Sequence, residues 1–418
     1  MLKPRILSYV LFFLMLFIPV IAYYLVVNGM VKYSHIMYFK MLTYMVTFIY
    51  LTKKKIANRP GFLFYLVLYI FYLFIWAFFN GLIEQKGIIS FLLNSSEIAA
   101  LCVILIISNS YFSEIFIRTS IRIIKITVVV AVIVSIIQFF DQDFFSPRVF
   151  SENVNVLDVN IYQLRRLSIF GFADRNEIGL SFLPLLSVLT GYMLYKKDRN
   201  YVLFLLFGGM IAILSNGRHL MIGFVILTLQ VAVVNKLKFV GVIKYALLSV
   251  IIFLVLYRGI LFLGYDIDKW IDMRLFSEGS IKETTRYGAF KTFALFFPKN
   301  MYFGTGVHLT PEIEEASKAI GSSQIHVGYL SHLVSYGLAG SFLLFSFWFL
   351  LAWKLYKNAR ATNYWGSFFA FLIYFWVQFT LVNYSLFFYG LIFALIFDKY
   401  FYDKHLTKKL KNEVKQIP

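Results

Sequence analysis

Six arginines and one histidine carry the chemistry that this sequence offers. Arg218 stands in the turn Leu214-Ser215-Asn216-Gly217-Arg218-His219, between two apolar runs so close together that it must lie at the boundary of both. Arg286 follows Thr284 and Thr285, plausible N-caps of a short helix running through Phe290, Phe293 and Phe297 to a stop at Pro298. Arg258 lies near the end of another apolar run, and Arg165, Arg166 and Arg175, with Asn176, bracket the start of a third. Guanidinium groups bind phosphate through paired donors. Several of them converging at headgroup depth would form a site for a lipid-linked pyrophosphate, although each alone could simply snorkel to headgroups. His326 opens an apolar helix just after Gly321-Ser322-Ser323-Gln324. At a helix N-terminus the dipole disfavours imidazolium, so the ring tends to remain neutral and able to accept a proton.

These residues must be positioned by helices. The 418 residues are 60% hydrophobic and 15% charged, and the apolar residues fall in runs of about 17 to 25, the length that crosses a hydrocarbon layer of about 30 Å. Backbone groups in lipid must be satisfied within the segment, so such runs form helices. Twelve spans are expected near 6–27, 36–52, 61–80, 88–109, 123–140, 176–195, 201–215, 219–235, 241–264, 326–353, 363–382 and 384–398. The expectation is an all-α, polytopic transmembrane bundle forming one membrane domain over 1–418.

The net charge of +19 invites a nucleic-acid reading, but its placement does not. Alternate connections hold Lys3 and Arg5, then Lys53 to Lys55 with Arg59, Arg118 with Arg122 and Lys125, and Lys196 with Lys197 and Arg199. They continue with Lys236, Lys238 and Lys244, then Lys354, Lys357 and Arg360, and the lysines from Lys399 onward. Against these stand only Glu114, Asp198, Asp398, Asp403 and Glu413, while the opposite connections are balanced. The positive-inside rule therefore puts both termini on the cytoplasmic side of the membrane. Two connections on the other side are long, 141–175 and 265–325, so the working face is expected to be extracytoplasmic. The larger loop carries Gly304-Thr305-Gly306, read as a flexible turn, and a solvated acidic face at Glu312, Glu314 and Glu315.

Other chemistries find little support. There is no Gly-rich phosphate loop of the kind that holds ATP and no Cys/His spacing typical of metal sites; the lone Cys102 cannot form an internal disulfide. No cofactor is expected. Acids within the spans are sparse, Glu97 being the main one, and no internal repeat is evident. Both weigh against a transporter or a lipid-linked oligosaccharide flippase.

The order of features from Arg166 to Gly340 resembles the O-antigen ligase and Wzy-type polymerase superfamily of envelope glycan enzymes. Arg166 with Gly171-Phe172-Ala173-Asp174-Arg175-Asn176 is similar to the family's Arg, Gly-Phe and Asp-Pro-Asn stretch. Ser215-Asn216-Gly217-Arg218 looks like its Ser-Arg turn. Arg286, Pro298 and Gly304-Thr305-Gly306 resemble its Arg, Pro and Gly-Ile-Gly stretch. His326 with Tyr329-Leu330 and Gly337 to Gly340 resembles its His-Asn opening of the following span. Arg175 stands where the family has Pro, Asn216-Gly217 interrupts the Ser-Arg pair, and Val327 follows the histidine where Asn is common.

The resemblance implies a GT-C-like membrane glycosyltransferase architecture and an inverting, metal-independent transfer from undecaprenyl pyrophosphate. A polymerase would move the glycan to the sugar of another lipid-linked repeat unit; a ligase would move it to lipid A core. His326, Arg286 and Arg218 would be catalytic, and Arg166, Arg175, Asn176 and Arg258 would bind substrate. The implied partners are the lipid-linked oligosaccharide, the bilayer, and a chain-length regulator and flippase of the same pathway; no nucleic acid is expected.

Overall fold

A computed structural model describes residues 60–84, 96–140, 182–214, 218–236, 285–305, 328–380 and 389–414. The expected spans near 6–27, 36–52 and 241–264 lie outside these residues, as does the connection 141–175.

The described residues are all-helical. In chain order the α-helices are α1 (Leu63–Glu84), α2 (Ser96–Asn109), α3 (Glu114–Phe140), α4 (Leu183–Tyr195), α5 (Tyr201–Leu214), α6 (Arg218–Val234), α7 (Thr285–Phe296), α8 (Gly328–Thr362), α9 (Gly366–Thr380) and α10 (Tyr389–Val414). Two of them contain stretches long and apolar enough to cross a membrane, Glu114–Ile137 and Gly328–Thr362. Shorter apolar stretches occur in α1, α2, α4, α5, α6 and α9.

α4 forms the centre of the bundle. Every residue from Leu183 to Thr190 is buried, polar Ser187 and Thr190 included. It packs against α9, α10, α5 and α6. The contact with α9 is close because both helices present glycine. A Cβ on Gly191 would lie 2.4 Å from the Gly366 Cα. Ser187 Oγ lies 2.8 Å from Gln230 Oε1 of α6 and 3.1 Å from the Gly366 carbonyl, and Gln230 Nε2 donates to the Ser187 carbonyl at 3.2 Å. The two glycines let the backbones approach, and the Ser187–Gln230 pair bridges the helices.

Helix ends follow from local chemistry. α4 ends in a Schellman motif, in which Asp198 N–H bonds the Met193 carbonyl at 2.8 Å and Lys197 N–H bonds that of Leu194 at 3.0 Å. Lys197 takes the left-handed position usually given to glycine, with φ 58°; Lys236 after α6 (φ 49°) and Asn363 after α8 (φ 59°) do the same. α8 therefore does not stop at 353, where the apolar run ends. Lys354 to Thr362 contain neither Gly nor Pro, so the helix continues until Asn363 turns the chain. Arg118, Arg122 and Lys125, assigned above to a connection, likewise lie on the first turns of α3.

The outward faces are apolar. Phe64, Phe71 and Phe78 recur every seven residues on α1 and are 62%, 60% and 45% exposed. Ile126 and Ile133 on α3, Val225 and Leu229 on α6, and Phe342 and Phe349 on α8 are exposed too.

Candidate functional site

The helix expected around Arg286 is present as α7. Phe293 and Phe297 stack with centroids 4.6 Å apart, and Pro298 begins a single 3-10 turn, Pro298–Asn300, where the α-helix stops. The far end of α7 docks on the first turns of α8, where Phe296 is buried against Leu330 and Val334, with Phe293 and Tyr329 packed around them. The segment bearing Arg286 is thus anchored to the helix whose first described residue, Gly328, follows His326 by two positions.

Beyond this contact the chain from Met301 to Thr305 is built into α8. That helix is interrupted at Gly337, whose φ of 61° and ψ of −168° are non-helical. The interruption strands backbone groups on both sides, as any helix end does, and the loop supplies their partners. Leu338 N–H bonds the Met301 carbonyl at 2.8 Å and Ala339 N–H bonds that of Tyr302 at 3.0 Å. Thr305 N–H bonds the Val334 carbonyl at 3.0 Å. The Tyr72 hydroxyl of α1 lies between the carbonyls of Tyr336, at 2.8 Å, and Phe303, and its one proton serves the two.

Gly304, expected within a flexible turn, is instead fixed in place. Its φ is +76°, its N–H bonds the Asn300 carbonyl at 2.8 Å, and a Cβ there would sit 2.4 Å from the Ser335 carbonyl oxygen. The physical reason is backbone pairing with a broken helix, which only a residue without a side chain allows.

Arg218 is the first residue of α6. α9 runs antiparallel to α8 after the turn at Asn363, and α6 lies along α9. Gln230 meets Ser187, which also contacts Gly366, while Gly223 faces Ile373. The Gln230 end of α6 is therefore level with the Gly366 end of α9, and α6 begins, at Arg218, on the side toward Gly328 rather than Thr362 of α8. The backbone positions of Arg218 and Arg286 are described, whereas their side chains are not. Arg165, Arg166, Arg175, Asn176, Arg258 and His326 lie outside the described residues.

Two groups at this end are not singled out by sequence. His332, one turn before the interruption, stacks near Tyr336 with centroids 5.8 Å apart, and its Nδ1 is enclosed without a hydrogen-bond partner among the described residues. Tyr72 ties α1 to the loop. An isolated histidine and a tyrosine in apolar runs carry no spacing signal; only the tertiary contact distinguishes them. Comparison with models of known protein families and with curated proteins finds no match for this chain.

Proposed function

We propose that the chain is a membrane glycosyltransferase that polymerises envelope polysaccharide from undecaprenyl-pyrophosphate-linked repeat units on the extracytoplasmic side of a bacterial inner membrane. The twelve-span topology with both termini inside belongs to this reading, supported by the one-sided charge and by the apolar outward faces of α1, α3, α6 and α8. The observation that carries it is the docking of α7 and the 301–305 loop on the first turns of α8. That contact joins the segment containing Arg286 to the helix that follows His326, and α6 begins with Arg218 on the side of the bundle toward it.

The chemistry follows from those residues. The acceptor sugar hydroxyl attacks the anomeric carbon of the donor glycan from the face opposite the pyrophosphate. The new C–O bond forms as the bond to the phosphate oxygen breaks, inverting the anomeric centre. His326 takes the hydroxyl proton, a role worth about 10² to 10⁴ in rate. Arg218 and Arg286 stabilise the charge that develops on the leaving pyrophosphate. Arg166, Arg175, Asn176 and Arg258 hold the donor.

The test is to supply purified protein with an undecaprenyl-pyrophosphate repeat unit and look for chain-length ladders. The same site would serve a ligase; transfer only to lipid A core, with no ladder, would select that alternative.

A further inference from the structure

We propose a second ligand site, at the opposite, lysine-rich end of the bundle, that binds the phosphate of a membrane phospholipid headgroup. A cavity of about 460 Å³ opens there, with Lys354, Lys357, Asp398, Lys399 and Asp403 as its charged lining and Asn358 beside them. Lys354 lies 17 residues beyond Gly337 on α8, roughly 25 Å away at about 1.5 Å per residue, so this is not the site described above.

The two carboxylates already have donors. Asn358 Nδ2 donates to Asp398 at 2.7 Å, and Lys399 Nζ donates to both oxygens of Asp403 at 2.6 and 2.5 Å. The remaining cations differ. Lys354 Nζ sits 5.1 Å over the ring of Phe62, and Lys357 Nζ sits 5.0 Å over that of Trp353. Among the described residues no carboxylate comes within ion-pair distance of either ammonium. Ring faces hold the two cations by their charge and leave N–H donors for another acceptor. Separated by three residues on one helix, they share a face, and three lysines against two carboxylates leave the cavity positive. An oxyanion with several acceptor oxygens fits that arrangement, and phosphate is the common one.

The surroundings select a lipid over a soluble phosphate. Trp353 and Leu406 line the same cavity while remaining 48% and 40% exposed. From Trp353 an exposed apolar stripe runs back along α8 through Phe349 and Phe342, and Leu410 extends the exposed surface one turn beyond Leu406. An acyl chain lying on that stripe would carry its headgroup to the lysines. The inference rests on the membrane reading above but not on glycosyl transfer.

The experiment is native mass spectrometry of the full chain released from detergent, with phosphatidylglycerol, phosphatidylcholine of the same acyl chains, glycerol 3-phosphate and inorganic phosphate as probes. The expected result is one phosphatidylglycerol retained about tenfold more tightly than phosphatidylcholine, which offers the same phosphate but brings a choline cation that the lysines repel. The two soluble phosphates should neither bind comparably nor displace it. The double variant Lys354→Gln/Lys357→Gln should lose the preference, Lys354→Arg/Lys357→Arg should keep it, and Lys408→Gln/Lys409→Gln, which removes the same charge from the exposed end of α10, should leave it unchanged. Equal retention by the Lys354→Gln/Lys357→Gln protein, or equal loss in the Lys408→Gln/Lys409→Gln control, would overturn the site. Glycerol 3-phosphate binding as tightly as the lipid would overturn the choice of ligand. Flotation of the chain with carbonate-washed vesicles tests the membrane reading separately.

Discussion

Gly304 and Gly337 meet backbone against backbone, and neither has room for a side chain. A Cβ on Gly337 would lie 2.5 Å from Gly304 N, and one on Gly304 would lie 2.5 Å from Gly337 N. Both have positive φ. Gly337→Ala would add a backbone strain of about 1 to 3 kcal/mol to that clash. The expected outcome is a lowered unfolding temperature in detergent and loss of polysaccharide laddering, because the loop following α7 would lose its seat on α8. Wild-type stability and laddering in Gly337→Ala would show that the clasp is dispensable.

At the centre of the bundle, Gly191→Ala should be costly although it adds a single methyl group. Its Cβ would meet the Gly366 Cα at 2.4 Å and Gln230 Nε2 at 2.5 Å, so a backbone would have to move. Overpacking of this kind costs about 1 to 3 kcal/mol. Gly61, where an added Cβ would have no neighbour within 4 Å, should accept the same change with little effect. Thermal unfolding of the two variants side by side checks the contrast, and equal shifts would contradict it.

Lys197→Gly should stabilise the protein. Lys197 occupies the left-handed position of the α4 Schellman motif, which costs a non-glycine residue about 1 to 2 kcal/mol. Part of that gain is offset by the greater freedom of glycine in the unfolded chain. A rise in unfolding temperature is expected, and a fall would mean that the lysine side chain contributes more than its backbone strain removes.

How much of this is legible in the sequence depends on the range of the interaction. The helices are readable because apolar runs and stops such as Pro298 are local; α7 ends where its phenylalanine spacing and that proline say it should. The Arg286 segment and the start of α8 can be ordered by motif, but their contact through Phe296, Leu330 and Val334 cannot be derived from spacing. Gly304 reads as a flexible turn because glycine signals freedom, whereas its use here is close approach to a partner 33 residues away, Gly337. Lys354 and Lys357 read only as basic residues of a connection. Their cavity exists only because α8 continues to Thr362 and α10 brings Asp398 and Asp403 alongside.

Sidedness can be tested with the single native cysteine removed. In a Cys102→Ser background, cysteines introduced at Lys269 and Lys318 should react with a membrane-impermeant maleimide in intact cells, and one at Lys409 should react only after permeabilisation. Labelling of Lys409→Cys in intact cells, or protection of both others, would reverse the orientation and remove the extracytoplasmic site.

The most direct measurement is chain-length analysis of products made by purified protein from an undecaprenyl-pyrophosphate repeat unit, comparing wild type with His326→Ala and Arg286→Lys. The account predicts a ladder from wild type, a rate lower by about 10² or more for His326→Ala, and impairment in Arg286→Lys because a lysine lacks paired donors. A ladder of undiminished rate from His326→Ala would contradict the assignment of the base, and no ladder from stable, membrane-inserted wild-type protein would contradict the polymerase itself.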